Sequence, residues 1–250
     1  MKNFKTNADS KIVLCNGGEQ IEFNLYSQDG ADLVNALSLK LAAEFQWMYQ
    51  PTWMGRPIIQ LPNDIVAMQE LLWAVKPDVI VECGVAHGGS LIFSASICQL
   101  IGKGKVVGVD VEIRAHNRKA IEEHFLKPRI ELIEGSSVEV NIVEKVRSQV
   151  LGAETVLVVL DSNHTREHVL KEMEFYHEMV TPESYLVVMD GAQAYVGDVP
   201  RAKSHWNEDH PLQAIEEFLK MHPNYIVDPH YERFGVTCSP SGFLKKKKEV

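Results

Sequence analysis

Four acidic residues follow short apolar runs in the central part of the chain, at the points where strands of a parallel sheet would end. They are Glu82 after VIV, Asp110 after VVGV, Asp161 after VLVVL and Asp190 after YLVVM. Because the carboxyl ends of parallel strands meet at one edge of a sheet, we expect these carboxylates to share one crevice. Paired carboxylates there can bind a hard cation such as Mg²⁺ or Ca²⁺, or act as a general acid and base.

His164 stands three residues after Asp161 and brings an imidazole towards the same crevice. An unperturbed histidine pKa near 6.5 suits this group to accept a proton from a hydroxyl at neutral pH. Two structural alternatives stay open: Asp161 can cap the next helix, and His164 can be a solvated residue of its first turn. The joint placement of both residues at a strand end favours the functional interpretation.

A glycine-rich turn, ECGVAHGGS, follows the first of these runs and permits a close backbone approach to a ligand. It matches neither GxGxxG nor a P-loop, and a packing role for its glycines stays open. Glu82 beside this turn would repel the diphosphate of NAD, whereas an acidic site suits the sulfonium and amino-acid end of S-adenosylmethionine (SAM). Asp110 can accept hydrogen bonds from ribose hydroxyls. Ser136 and Ser137 can reach the adenine, although Ser136 can equally be a helix N-cap.

Alternating strands and helices must position these residues. Strands are predicted over 78–81, 105–109, 129–133, 155–160 and 185–188, and helices over 90–101, 115–126, 138–150 and 164–179. The strands are short and rich in Val, Ile and Leu, and they mostly lack polar alternation, as expected when both faces are covered. We therefore predict an α/β fold, doubly wound around a mostly parallel sheet.

The regions that flank this core differ in their predicted elements, and those upstream are predicted to cover the sheet or the mouth of its site. Downstream, we predict a long loop over 191–210, a helix over 212–222, strands near 225–227 and 235–238 with SPSGFL closing a hairpin, and a solvated basic tail at 245–248. Upstream, we predict a helix over 31–49, a loop over 51–62, and a helix to residue 75 with Asn63 as its N-cap. The chain is thus one domain, with an N-terminal helical cover (1–76), a core (77–245) and a basic tail (245–250).

Composition excludes several classes of protein. The 250 residues carry 25 Lys+Arg against 34 Asp+Glu, a formal net charge of −9, which disfavours nonspecific nucleic-acid binding. The four cysteines form no CxxC pair, which disfavours a disulfide or zinc-ribbon framework. The first residues, MKNFKTNADSK, lack the apolar segment expected of a signal peptide, and no run approaches the roughly 20 apolar residues expected of a membrane-spanning helix. We expect a cytoplasmic protein with a small-molecule substrate and no membrane partner; a homo-oligomer is left open.

Three segments resemble the cephalosporin hydroxylase/rhamnosyl O-methyltransferase family. They are VIVECGVAHGGSLIFSA, VLDSNHTREHVLKEMEFYHEMVTPESYLVVMD and SPSGFLK, and the resemblance covers roughly residues 50–245. It implies a class I SAM-dependent O-methyltransferase with a seven-stranded Rossmann-like sheet, acting on a sugar or natural-product hydroxyl with Mg²⁺. By the same resemblance, Glu82, Gly84, His87, Gly88 and Ser90 line the methionine end of the cofactor, and Asp110 holds the ribose. Asp161 becomes a metal ligand, and His164 the general base.

The sequence departs from the family at the fifth strand end, where members carry an acidic pair. Here the segment is Met189-Asp190-Gly191, so only Asp190 is carried over as a metal ligand. A thioether is a poor ligand for a hard cation, and a third ligand could come from residues 193–198. Two alternatives stand beside the methyltransferase. Met189 and Gly191 keep open a cofactor-binding scaffold with weakened catalysis. The other is an NAD-dependent oxidoreductase on a related sheet, although the turn lacks the diphosphate glycine pattern.

The acceptor pocket is expected between two loops, residues 51–62 and 191–210. Four side chains are candidates for its wall: Trp53, Gln60, Tyr195 and Trp206. Aromatic faces suit sugar rings, but the same residues can instead anchor the loops.

Overall fold

A computed structural model describes residues 5–203 and 205–248 of the chain. Its N-terminal part contains four strands and two α-helices: β1 (Lys11–Asn16), β2 (Glu19–Asn24), α1 (Gln28–Glu44), β3 (Thr52–Trp53), β4 (Arg56–Pro57) and α2 (Pro62–Val75). Strands β1 and β2 form an antiparallel hairpin that the predicted helical cover did not include. Helix α2 begins at Pro62 with Leu61 at the N-cap, so the prediction of Asn63 as its cap is wrong. Proline suits the first turn of a helix because its missing N–H has no intrahelical acceptor there.

The remaining elements alternate regularly as far as β9. They are β5 (Val79–Cys83), α3 (Gly89–Ile101), β6 (Lys105–Asp110), α4 (Ala115–Glu122), β7 (Ile130–Glu134), α5 (Val140–Val150), β8 (Val156–Leu160), α6 (Arg166–Tyr176), β9 (Tyr185–Val188), α7 (Pro211–Met221), β10 (Tyr225–Val227) and β11 (Phe243–Lys246). The five predicted core strands are confirmed with small shifts of their ends. The strand predicted near 235–238 is wrong, because the last strand begins at Phe243.

Seven strands form the central sheet in the order β10-β11-β9-β8-β5-β6-β7. Pairings from β9 through β7 are parallel, and β11 runs antiparallel to both neighbours. The predicted doubly wound, mostly parallel fold is therefore confirmed. From β5 the chain proceeds outwards to β6 and β7, and then returns to β8 on the other side of β5. This switch in strand order opens a crevice at the carboxyl ends of β5 and β8.

The sheet is covered on both faces because successive side chains of its strands point to opposite sides. Ile80 and Leu157 pack with α2 and α3, whereas their neighbours Val81 and Val158 pack with α5, α6 and α7. The strands β5 and β8 are buried over their whole length. By the same alternation, Glu82 lies on the α3 side, where its carboxylate meets Ser90.

The predicted basic tail belongs in part to this sheet. Lys245 pairs in register with Tyr185 of β9 and forms an ion pair with Glu183 at 2.8 Å. The Lys246 ammonium donates to the carbonyl of Val180 at 2.7 Å. The tail prediction is therefore wrong for these two lysines, and its final residues, 249–250, lie outside the described part of the chain. Within that part, no helix combines the length and the apolar character needed to cross a membrane.

Candidate active site

The turn after β5 and the end of β8 are fastened together at the switch point. The Asp161 N–H donates to the carbonyl of Cys83 at 2.7 Å. Gly84 adopts a φ of +105°, and a Cβ on this residue would lie 2.0 Å from the Asp161 carbonyl oxygen. Only glycine fits such an approach, so the first glycine of the turn serves to bring Asp161 against the turn.

Asp161, His164 and Asp190 come together as the sequence predicts. Each offers one ligand atom, and the three atoms all lie within 4.8 Å of one another. The His164 Nε2 atom is 3.1 Å from the Asp190 carboxylate. Asp190 holds a left-handed backbone, with φ of 58°, a conformation that costs a non-glycine residue energy and is often found at functional sites. We call these three residues the strand-edge cluster.

The strand-edge cluster is short of positive charge. Burial raises the pKa of Asp161 well above its ordinary value, and the neighbouring charges of Asp190 and Glu82 raise it further. Two carboxylates and an imidazole are suitable ligands for a divalent cation, which would relieve this repulsion. Helix α6 has Thr165 at its N-cap, so the capping alternative for Asp161 is wrong.

Met189 takes no part in the cluster. Its side chain is 3% exposed within the core on the α3 side, and the Ser239 hydroxyl lies 3.3 Å from its sulfur. The missing acid of the family's pair is thus replaced by a core residue. A third metal ligand was expected from residues 193–198. Asp198, the acid of this segment, instead forms an ion pair with Lys40.

A central cavity of about 170 Å³ lies between the glycine turn and the strand-edge cluster. Its wall includes Gly84, His87, Ser90 and Gln60, all of them predicted site residues. Gly88, predicted to contact the cofactor, does not line this cavity. A Cβ on Gly88 would clash with the side chain of Ile121, so this glycine allows Ile121 to pack against the turn.

Two buried oxygen atoms have no hydrogen-bond partner among the described residues: Oε1 of Gln60, which lines the central cavity, and Oε1 of Glu82, which lies behind the wall residue Ser90 and lines none of the three cavities. Burial raises the pKa of Glu82 to about 7, and a hydrogen bond from Ser90 opposes this shift. Unpaired buried acceptors are costly, so they indicate a ligand that donates hydrogen bonds. The ammonium group of an amino acid is such a donor.

A second cavity, the serine cavity, adjoins the central one across Gly84, Ala86, Asp161 and Ser162. It measures about 350 Å³, and Asp110, Ser136 and Ser137 contribute to its wall. The Asp110 carboxylate accepts hydrogen bonds from the N–H groups of Val85 (2.8 Å) and Ala86 (3.1 Å). Each carboxylate oxygen can accept more than one hydrogen bond, so Asp110 retains capacity for a ligand hydroxyl. Ser136 is not a helix cap, because α5 begins at Val140 after Glu139.

A third cavity, the tryptophan cavity, opens on the other side of the strand-edge cluster. It measures about 340 Å³ and shares Tyr49, Ile59, His164 and Asp190 with the central cavity. The rest of its wall is mixed in character and comprises Leu39, Ala43, Gln46, Met48, Ala192, Gln193, Val196, Arg201, Lys203, Trp206 and Cys238. The strand-edge cluster therefore stands where the central and tryptophan cavities meet.

Two of the four predicted acceptor residues, Trp53 and Tyr195, lie outside the walls of the three cavities. The indole N–H of Trp53 donates to the Ser96 hydroxyl at 3.0 Å, and its ring packs edge-on against Phe93, so Trp53 anchors its loop. Tyr195 is 55% exposed and lines none of the three cavities. Gln60 and Trp206 do line cavities, although Gln60 belongs to the central one.

Sequence reasoning missed a buried carboxylate beneath the serine cavity. Glu172 is fully buried on α6 and accepts hydrogen bonds from the hydroxyls of Ser137 (2.5 Å) and Ser162 (2.6 Å). Its position among the apolar residues Val169, Met173 and Tyr176 of one helix face is the signal that could have revealed it.

Asp64, on α2, is a second missed acid. It is 1% exposed and accepts hydrogen bonds from the Thr237 hydroxyl and from the Cys238 N–H at 2.8 Å. Burial raises its pKa to about 6, and the charge of Asp190 contributes in the same direction. No sequence pattern links α2 to the segment after Gly235, so this residue could not be associated with the site in advance.

Comparison with known proteins gives one consistent result. The family described as Rhamnosyl O-methyltransferase/CmcI matches residues 45–247. The rhamnosyl O-methyltransferase of Mycobacterium leprae is 31% identical over 202 residues, covering 78% of this chain and 83% of the relative. That of Mycobacterium bovis is 30% identical over 237 residues, covering 88% and 91%. A CmcI structure described as Mg-SAM has a similar fold, with a TM-score of 0.58 at 18% identity over 80% of this chain and 78% of that chain.

Proposed function

The chain belongs to the rhamnosyl O-methyltransferase/CmcI family of SAM-dependent O-methyltransferases, and we propose that it methylates a sugar hydroxyl with the help of a divalent cation. One observation carries this proposal: the Asp161–His164–Asp190 cluster stands at the junction of the central and tryptophan cavities. A methyl donor on one side and an acceptor hydroxyl on the other would meet at this cluster.

The central and serine cavities together suit SAM. Gln60 in the wall and Glu82 behind Ser90 carry unpaired acceptors for the ammonium of its methionine end, and Gly84, His87 and Ser90 line the same cavity. Asp110, Ser136 and Ser137 line the cavity that we assign to the nucleoside. When bound, SAM supplies an electrophilic methyl group on a sulfonium centre. The raised pKa of Glu82 supports this assignment, because a cation beside the carboxylate would stabilise its ionised form.

Asp161 and Asp190 are the proposed ligands of the cation, which we take to be Mg²⁺. Their oxygen atoms and the repulsion between them support this choice. When bound, a divalent cation supplies positive charge that lowers the pKa of an acceptor hydroxyl. Met189 was one reason to consider a scaffold with weakened catalysis; its side chain is buried in the core, so Asp190 is the one proposed ligand from this strand end.

His164 is the proposed general base. It lines both the central and the tryptophan cavities, so its ring can reach an acceptor hydroxyl beside the methyl donor. The Asp190 carboxylate, 3.1 Å from its Nε2 atom, can hold the ring in one orientation and stabilise its protonated form. Alignment of the acceptor oxygen with the methyl group would supply much of the remaining acceleration.

The tryptophan cavity is the proposed acceptor site. Trp206 offers a ring face to a sugar, while Gln193, Arg201 and Lys203 carry hydrogen-bond donors for its hydroxyls. Leu39 and Met48 give the same cavity an apolar wall, which suits the aglycone of a glycoside. Since the curated relatives are rhamnosyl O-methyltransferases, we propose a deoxyhexosyl group such as rhamnose as the acceptor class.

Calorimetry and turnover test this proposal together. We expect the chain to bind SAM and S-adenosylhomocysteine, and to methylate rhamnosides in a reaction that EDTA stops and Mg²⁺ restores. His164→Ala should reduce turnover roughly a hundredfold or more while SAM affinity stays within twofold of wild type. His116→Ala, which removes an exposed histidine on α4, is the matched control and should leave both unchanged. No binding of either nucleoside would refute the methyltransferase, and full activity of His164→Ala would refute the base.

A further inference from the structure

A second cluster of histidines and a carboxylate lies at the far ends of two helices. Glu174 lies in the last turn of α6, His177 follows that helix directly, and His222 follows α7 directly. Each offers one ligand atom, and these atoms all lie within 4.8 Å of one another. We call these three residues the helix-end cluster.

The two histidines of the helix-end cluster are in close contact. Their ring centroids are 4.3 Å apart, and the His222 Nε2 atom is 2.8 Å from the Glu174 carboxylate. His177 Nδ1 is buried and has no hydrogen-bond partner within residues 5–203 and 205–248. A buried ring nitrogen without a partner is unusual, because such atoms are normally satisfied by protein groups or by water. A metal ion is a further kind of partner, since it binds the lone pair of a neutral imidazole.

The charge state of the cluster suits a cation. Burial and the proximity of His222 lower the pKa of His177, which keeps its imidazole neutral at neutral pH. The charges that face His177 are the carboxylates of Glu174 and Glu178 and the ammonium of Lys246. The Lys246 ammonium is occupied by the carbonyls of Val180 (2.7 Å) and His177 (3.2 Å). Glu178 also forms an ion pair with Arg147 at 3.5 Å, so Glu174 is the carboxylate left to balance the charge of a bound ion.

We propose that Glu174, His177 and His222 bind a divalent transition metal ion, Zn²⁺ by preference. Two imidazoles and one carboxylate are the donor set that Zn²⁺ takes when it keeps a position open for water. Mg²⁺ prefers oxygen ligands, so the helix-end cluster selects a different metal from the strand-edge cluster. The exposed side chain of Glu174 can adjust to the ion at little cost, because it is free on its solvent side.

The proposed zinc site is separate from the active site. Helix α6 begins at Arg166, close to His164, and its 11 residues span about 16 Å before the cluster is reached. A metal ion there would join the end of α6 to the end of α7. Its expected role is to stabilise these two helices, since it would be bound by the folded chain and not by the unfolded one.

The test uses the full-length chain with Asp161→Asn and Asp190→Asn, so that the strand-edge cluster cannot bind Zn²⁺. After treatment with EDTA and removal of the chelator, Zn²⁺ binding is measured by calorimetry in excess Mg²⁺, and Co²⁺ binding by its visible absorption. We expect about one equivalent of either metal, with Co²⁺ bands typical of mixed nitrogen and oxygen ligands, and a higher melting temperature with Zn²⁺.

Glu174→Gln and His222→Gln, added to this background, should each raise the Kd for Zn²⁺ by about tenfold or more and remove the Co²⁺ bands. His116→Ala is again the matched control and should change neither. Glu174→Gln alters an exposed side chain, so it reports on binding even if His222→Gln weakens the fold. Unchanged Zn²⁺ affinity in Glu174→Gln, or no binding to the starting double variant, would overturn the proposal. Methyl transfer plays no part in this test, so its outcome is independent of the proposed function.

Discussion

The strand-edge and helix-end clusters have similar composition and different surroundings. Each combines carboxylate and imidazole groups whose ligand atoms lie within 4.8 Å of one another. The strand-edge cluster stands at the junction of two cavities and beside unpaired buried acceptors, whereas His177 and His222 line none of the three site cavities. Closely spaced ligand atoms therefore indicate a metal site in both places, but only a site that borders a cavity can act on a bound substrate.

Helix α6 links the two clusters and contains a matched pair of acids. Glu172 faces the sheet and is fully buried, and Glu174, two residues later, faces α7 and solvent. The first accepts hydrogen bonds from two serines that follow β7 and β8, and the second from a histidine at the end of α7. Substitutions on the two sides of this helix can therefore separate catalysis, folding and metal binding.

The largest expected difference between the clusters is in catalysis. Asp161→Asn removes a proposed cation ligand at the junction of the cavities, so we expect turnover to fall about a thousandfold, which corresponds to roughly 4 kcal/mol. Glu174→Gln removes a ligand of the helix-end cluster and should leave turnover within twofold of wild type. Initial rates with saturating SAM and acceptor measure both.

Circular dichroism and SAM titration provide the controls for this pair, because both variants should remain folded and bind SAM. A comparable loss of turnover in the two variants would contradict the division between a catalytic and a structural cluster. Retention of full activity by Asp161→Asn would remove the cation from the proposed function.

Much of the strand-edge cluster could be predicted because strand ends are visible in sequence. Apolar runs that end in an acid locate Glu82, Asp110, Asp161 and Asp190, and the parallel topology then brings them to one edge. The core strands followed from the same runs, since full burial on both faces leaves no polar alternation. The glycine turn was recognisable because it follows directly after the apolar run that forms β5.

Other features depend on tertiary contacts that no local pattern encodes. Helix α1 contributes Leu39 and Ala43 to the wall of the tryptophan cavity, whereas its sequence predicted only that it covers the sheet or the mouth of the site, without naming these residues. Trp53 looked suitable for a sugar ring, but Ser96 and Phe93 of α3 hold it in the loop. His177 and His222 meet because α6 and α7 pack side by side, and nothing in their separate segments indicates this.

A smaller difference is expected in stability between the two acids of α6. Glu172→Ala removes the carboxylate that accepts hydrogen bonds from the buried Ser137 hydroxyl and from the Ser162 hydroxyl, and should lower the free energy of unfolding by about 2 kcal/mol or more. Glu174→Ala removes a partly exposed interaction with His222, worth at most about 1 kcal/mol. Urea unfolding in the presence of EDTA measures the free energy of unfolding of both alanine variants. Glu172→Gln keeps one acceptor oxygen and should therefore lose less stability than Glu172→Ala. Equal losses in the two alanine variants would show that Glu172 does not support the serine cavity.

The smallest expected effect is a pH dependence of stability that has opposite signs for Glu82, which lies beside the strand-edge cluster, and for His177 of the helix-end cluster. Burial raises the pKa of Glu82 from 4.5 to about 7, so the folded chain binds more protons than the unfolded chain between these values. The contribution of Glu82 to stability is therefore lost as the pH rises through about 7. The pKa of His177 is lowered below 6.5, so its contribution is present above pH 6.5 and is lost as the pH falls below it.

Melting temperatures of the EDTA-treated chain between pH 5 and pH 8 can separate these contributions. Glu82→Gln should reduce the fall in melting temperature between pH 5 and pH 8 by about 3 °C. Part of this fall should persist in the variant, because the pKa values of Asp161 and Asp64 are raised too. His177→Gln should instead reduce the loss towards pH 5. If the two variants flatten the same side of the profile, the carboxylates at the strand ends are not destabilised by their burial. The reason for placing a cation and a sulfonium cofactor among them would then be lost.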